Sequence, residues 1–392
     1  MRKNGFAYLW SGQTLANLGD VLYIVGMISA VYAATRSAAY TSIVPLVFVA
    51  AQTVSSFLAP LILDRIRLTL LLIVSQAGKT VILLILTWFV ASVPSSQTVP
   101  YVFAFVAALA FLDGWANPAR NALVPRLVAE SELVKANGWL ATTDQCVQFG
   151  GWAAGGLLVT LLGSVNVLWG SFALYLGAVV AMLGIPRVER LRQPFSDGHT
   201  LLEGWKAIWE KPFLRRLLFM EVIEGLAGAV WMAAILLPYV ENVLQKGEEW
   251  WGYINASYML GAILGGMLVL TYAREIQAYL SRSIFVGTMG AALVTFSFGW
   301  GNDPFLALLL SAVLGPFSQL QQTAKQTALQ QGIDETVLPK AFSAKGTLDS
   351  VVFGVSVLAV GALADQFDIR LVYWLAAALI GFSALLVLLP RK

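Results

Sequence analysis

Asp20 stands inside an apolar run, where a carboxylate has no ordinary reason to be. With Gln13 and Asn17 it makes the spacing i, i+4 and i+7, which on a helix places three polar groups along one stripe. An ionisable group at that depth in hydrocarbon costs several kcal/mol unless a cavity or a partner receives it. Burial disfavours the anion, so the group suited to Asp20 is one that takes up and releases a proton. The alternative is a structural carboxylate satisfied by Asn17 or by backbone. Asp113, Asn117 and Arg120 form a second stripe, echoed by Ser318, Gln322 and Lys325. For Asp113 the competing role is an internal ion pair with Arg120. Glu221 and Glu224 lie at i and i+3, on a face continued by Gly225 and Gly228. Two carboxylates that close resist joint ionisation, and a cation relieves them; at a membrane interface they would only be solvated. Trp115, next to the second stripe, and Trp231 are the rings singled out to meet an amphipathic ligand.

Other chemistries find little support. Lys79 follows Gly78 and precedes Thr80, but Ile73 occupies the position where a phosphate-binding loop requires its first glycine. Lys79 is instead expected to snorkel or to pair with an acid inside the helices. One cysteine, Cys146, excludes an intrachain disulfide, and with the single His199 it excludes the usual His/Cys metal centres. No metal and no cofactor are expected. A membrane enzyme or receptor finds no nucleophile–base pair and no appended soluble domain. The basic residues hug the apolar segments, which gives nucleic acid no binding face.

The elements that must position these residues are membrane helices. Hydrophobic residues make up 58% of the chain and charged residues 12%, against roughly 25% charged in soluble domains. The mean hydropathy is +0.74. Stretches of about 20 apolar residues suit a helix crossing hydrocarbon. Twelve such spans are predicted, at 7–33, 38–63, 69–92, 100–122, 139–162, 166–185, 213–240, 250–272, 280–299, 303–325, 341–363 and 370–389. The first is read as a retained helix, since no small-residue cleavage site follows Met1-Arg2-Lys3.

Arg65, Arg67, Arg126, Arg187, Arg190, Arg192, Arg274 and Arg391 fall on one side of this arrangement; Arg36, Lys246 and Arg370 fall on the other. That bias predicts both termini in the cytoplasm. The polar segment 186–212 divides the spans six and six. Within it Leu201, Leu202, Trp205, Ile208 and Trp209 share a helical face, consistent either with an interfacial amphipathic helix or with a plain linker.

The halves are related. Residues 119–158 and 324–363 align without a gap at an offset of 205, with eleven identities that include Glu130/Glu335, Lys135/Lys340, Thr142/Thr347 and Asp144/Asp349. A parallel repeat in so apolar a chain predicts a duplicated bundle whose halves move against each other. The expected fold is all-α: a polytopic membrane protein of twelve transmembrane helices in two pseudo-symmetric six-helix bundles, 1–185 and 213–392, joined by the linker 186–212.

This plan resembles the major facilitator superfamily. The segment Phe6-Ala7-Tyr8-Leu9-Trp10-Ser11-Gly12-Gln13 and the run Asn117-Pro118-Ala119-Arg120-Asn121-Ala122-Leu123-Val124-Pro125-Arg126 are similar to its macrolide-efflux and enterobactin-exporter branch. Asp64-Arg65 keeps the core of the family's loop between spans two and three, although the glycines of that motif are missing. Gly151-Trp152-Ala153-Ala154-Gly155-Gly156 keeps the glycines of the antiporter motif in span five without its proline.

The resemblance implies a secondary transporter working by alternating access. The expected function is proton-coupled export of amphipathic small molecules, whether drug, siderophore or metabolite. Gln13, Asn17, Asp20, Asp113, Asn117, Glu221 and Glu224 would line the coupling and substrate cavity. It also implies a cytoplasmic gate of Asp64, Arg65, Arg120, Asp144, Lys325 and Asp349, in which Arg120 meets Asp144 or Asp349, and Lys325 the other, when the cytoplasmic side is shut; the alternative is that each pair staples only its own half. The remaining expectations are a bacterial inner (plasma) membrane location, the lipid bilayer and protons as partners, and a monomer. An importer or a lysophospholipid flippase on the same fold is the alternative, and it predicts a basic headgroup site.

Overall fold

The computed structural model describes residues 3–92, 99–188, 201–231 and 233–389. Arg2, Arg190, Arg192, His199, Arg391 and Lys392, which enter the orientation and metal expectations above, lie outside the described residues.

Helices account for every regular element among the described residues. In chain order they are α1 (Lys3–Thr35), α2 (Ala38–Leu58), the single turn α3 (Pro60–Leu63), α4 (Leu68–Ser92), α5 (Val99–Leu127), α6 (Leu133–Leu162) and α7 (Ser164–Leu183). Next come α8 (Glu203–Glu210), α9 (Pro212–Gly228), α10 (Ala233–Asn242), α11 (Glu249–Thr271), the short α12 (Ala273–Ala278), α13 (Leu280–Trp300), α14 (Pro304–Gly332), α15 (Leu338–Gln366) and α16 (Ile369–Leu386).

The twelve predicted spans all fall on these helices; the second runs over α2 and α3, and the seventh is broken between α9 and α10. Nine helices among the described residues are long and apolar enough to cross a membrane, or ten if the bent pair Pro212–Trp231 and Ile235–Asn242 counts as one span. Large apolar side chains such as Trp88, Leu46, Val180 and Leu161 remain exposed on the helix surfaces. A soluble protein would bury them, whereas lipid receives them without cost.

Two compact units divide the chain, and their membership is informative. The first is Met1–Ala129, Cys146–Trp205 and Asp334–Thr347; the second is Glu130–Gln145, Lys206–Ile333 and Leu348–Lys392. The opening turns of α6 therefore group with the later half of the sequence, and those of α15 with the earlier half. These are the segments that the internal repeat aligns.

In the first unit the core gathers Tyr23, Met27, Leu83, Leu86, Val106, Leu109, Leu168 and Tyr175. In the second an aromatic knot of Trp231, Tyr239, Phe298 and Tyr373 anchors the core, with Tyr239 stacked on Phe298 at 4.7 Å. The Tyr239 hydroxyl donates to the Phe298 and Gly301 carbonyls at the end of α13.

Small residues allow α11 and α14 to touch at backbone distance. A methyl group at Gly261 would overlap the Ala312 carbonyl, and one at Gly265 would overlap Pro316. Small residues four apart let helix backbones approach closely, and Gly261 and Gly265 serve that purpose here. The linker helix α8 forms, with Ile208 buried and Trp209 exposed.

Candidate functional site

Three lysines among the described residues are buried, and each is held by two carboxylates. In the first unit Lys79, on α4, places its ammonium 2.7 Å from Asp20 Oδ1 on α1 and 2.6 Å from Asp113 Oδ1 on α5. Lys79 is 1% exposed. The Tyr175 hydroxyl of α7 donates to the same Asp20 oxygen, and its ring lies 4.8 Å from the Lys79 ammonium. Four helices thus converge on one charged group.

Glycine neighbours allow that convergence. A side chain at Gly19 would run into the Tyr175 ring, and one at Gly78 would press on Leu112 of α5. Each glycine adjoins the charged residue it serves, so helix approach and charge placement are written into the same dipeptides, Gly19-Asp20 and Gly78-Lys79.

The predicted stripes are resolved as follows. Gln13 donates to Asn17 Oδ1 at 2.6 Å, so these two amides engage each other. Asp20 is held by Lys79 and Tyr175, and Asp113 by Lys79. Arg120 directs its Nε toward Asn121, and Asn117 is half-buried on α5. Trp115 packs edge-on against Phe111 at 5.0 Å.

In the second unit Lys325, on α14, is 2.5 Å from Glu224 Oε2 and 3.8 Å from Glu221 Oε1, both on α9. Ser383 of α16 donates to the other Glu224 oxygen at 3.0 Å. The expectation that Lys325 faces Asp144 or Asp349 when the cytoplasmic side is shut is not met in this structure, where Lys325 pairs with Glu224 and Glu221. The physical reason is proximity across a helix pair, since two glutamates on α9 meet the lysine side chain inside its own unit. Beside Glu224 opens a cavity of about 320 Å³, whose wall includes Trp231 and Tyr258.

The third lysine, Lys340 at the start of α15, is 1% exposed and lies 2.6 Å from Asp64 Oδ2. It also meets Glu203, the first residue of α8. Gly204 lies so close to the Lys340 carbonyl that no side chain would fit there. Nearby, the Ser343 hydroxyl donates to the Ser56 carbonyl, and Arg126 reaches the Glu335 carbonyl at 2.5 Å. All of these residues belong to the first unit. Of the other gate candidates, Arg65 and Asp349 are exposed and Asp144 is half-buried.

Of the two expectations for Lys79, pairing with an acid holds, although the residue was not counted in the site; Tyr175, Lys340, Glu203 and Ser383 were missed as site residues. Lys79 was visible as a cation in an apolar span, and Lys340 as a repeated position (Lys135/Lys340). Tyr175 and Ser383 carry no signal in sequence, since a tyrosine or serine in a membrane helix is ordinary.

Each of the three clusters combines two carboxylates with one ammonium, a formal charge of −1. Such a site is neutralised by one proton or one monovalent cation, and its two carboxylates share that choice. Buried charges paired across helices, in a chain with helices long enough to span a bilayer, define a class: multi-pass membrane proteins that move small molecules.

The chain belongs to the Major Facilitator Superfamily, whose family model matches residues 9–315. It is a transporter and not an enzyme. It is 32% identical to the uncharacterized MFS-type transporter YfmI of Bacillus subtilis (strain 168), over 98% of this chain and 97% of that one. It is 24% identical to macrolide efflux protein A of Streptococcus pyogenes, over 96% of this chain and 93% of the relative. Among solved structures, a bacterial homologue of the iron transporter ferroportin in its outward-facing state superposes with a TM-score of 0.78 at 13% identity, covering 98% of both chains.

Proposed function

We propose that this transporter is a proton-coupled exporter of amphipathic small molecules working by alternating access, with the coupling site at Asp20, Lys79 and Asp113. The observation that carries this reading is the bridging position of Lys79. With both carboxylates ionised the cluster keeps a charge of −1 in a buried setting, and one proton makes it neutral. A site that is neutral with a proton and charged without one couples proton occupancy to the cost of exposing or burying it. The direction is supported by similarity to an efflux protein. An acid excess in the clusters favours export over the flippase alternative, which requires a basic headgroup site.

In this reading the protein works as a monomer in the bacterial plasma membrane with both termini cytoplasmic. Gln13, Asn17 and Asn117 supply polar lining near the coupling site. The gate is centred on Asp64 with Lys340 and Glu203, and Arg65 and Arg120 belong to the same unit. Everted membrane vesicles energised with a pH gradient test the coupling. Asp20→Asn is expected to abolish substrate-driven proton flux; flux equal to that of the unaltered protein would refute the assignment.

A further inference from the structure

The cavity of the second unit presents one charged side chain among the described residues lining it, Glu224. Lys325 is not part of that wall. It lies 5% exposed behind Glu224, with Glu221 3.8 Å away as a second anchor. The other polar groups on the wall are neutral: Asn255, Tyr258, Thr295, Ser318 and Gln321. Trp231 adds a large ring, braced by its indole donating to Thr295 at 3.3 Å and by Phe298 at 4.5 Å. A volume of about 320 Å³ is in the range of small-molecule sites, which are mostly apolar with a few placed polar groups.

An incoming anion would meet a carboxylate. An incoming neutral molecule would leave the net charge of −1 uncompensated. A cation completes the site, and an aromatic wall suits a greasy one. We propose that this cavity binds a lipophilic organic monocation, with Glu224 as counter-ion and Lys325 as the internal cation that the ligand displaces. Lys325 then retains Glu221, which is already within reach. The two units divide the work: the first holds the proton, the second the cargo. The assignment deepens the export reading and rests on it for its role in transport, but binding itself requires no gradient.

The test is equilibrium binding to the purified, full-length protein in nanodiscs with no ion gradient. The probes are tetraphenylphosphonium and tetraphenylborate, ions of nearly the same shape and opposite charge. Phosphonium is expected to bind one per chain and at least about tenfold more tightly than borate. Glu224→Gln is expected to weaken phosphonium binding by at least about tenfold, the loss of one close charge pair. Should Glu224→Gln fail to fold, Ser318→Leu, which fills the cavity without altering charge, is expected to show a similar loss. Equal affinity for the two ions, or phosphonium affinity unchanged in Ser318→Leu and in a folded Glu224→Gln, overturns the proposal. Those outcomes leave the proton assignment intact, because that assignment is read separately from Asp20→Asn in energised vesicles.

Discussion

A lysine inside an apolar helix must find anions on neighbouring helices, and Lys79 finds two. Removing the shared cation would leave Asp20 and Asp113 facing each other; stripping a buried pair of one partner costs about 3–5 kcal/mol. Asp20→Asn does the opposite, since it leaves a neutral Lys79–Asp113 pair. Lys79→Met is therefore expected to unfold at a clearly lower temperature than Asp20→Asn, and adding Asp20→Asn to Lys79→Met should recover part of the loss. Thermal unfolding of the three purified variants in one detergent decides this, and equal midpoints for the two single variants would sink it. The residue-level signal here was partly legible. Asp20 and Asp113 stood out because their charge conflicts with their surroundings. Their common partner did not, because a lysine that snorkels and a lysine that bridges look alike in one dimension.

At the level of the helix, approach distance decides what side chains can do. α11 and α14 meet where Gly261, Gly265 and Gly315 remove every intervening side chain. A methyl group at Gly265 has no room to relax, because its neighbour is the Pro316 backbone. Gly265→Ala should cost about 1–3 kcal/mol, the range for overpacking a tight contact. Gly150→Ala is the matched control: Gly150 is exposed on α6 with open space around it, so the change is expected to be neutral or mildly stabilising. Denaturant titration of both variants gives the comparison; a Gly265→Ala protein as stable as Gly150→Ala would contradict close backbone packing. Small residues four apart, as Gly261 and Gly265 are, carry the signature of such a contact in the sequence. The Gly19 and Gly78 contacts were not announced, because a lone glycine in a helix names no partner.

Across the whole molecule the internal repeat has kept its frame and lost its symmetry. Lys135 and Lys340 are equivalent by alignment, yet Lys135 is exposed while Lys340 is buried against Asp64 and Glu203. The Asp64-Arg65 turn follows α3 in the first half, whereas Arg274 and Glu275 belong to α12, between α11 and α13, in the second. Only Lys340 therefore meets an aspartate from such a turn. If this cluster is the catch that alternation must release, weakening it should expose Ser343, which is 1% exposed. In a Cys146→Ser background carrying Ser343→Cys, adding Asp64→Asn and Glu203→Gln is expected to speed thiol labelling at position 343 by about tenfold or more. An unchanged labelling rate would remove the cluster from the gate.

The amino-acid order alone determined that this is a helical membrane protein built from a repeated half, because hydropathy and periodicity are local and survive without knowledge of contacts. It also singled out Asp20, Asp113, Glu221 and Glu224, because a charge in hydrocarbon is anomalous wherever it points. Only the tertiary structure decided which cation each acid meets. Lys325 went to Glu224 and Glu221 instead of the repeated aspartates, and Lys79 joined two helices that the sequence had treated separately. Pairing depends on which helices are neighbours and on how closely they approach, and those distances belong to packing, which no single segment encodes.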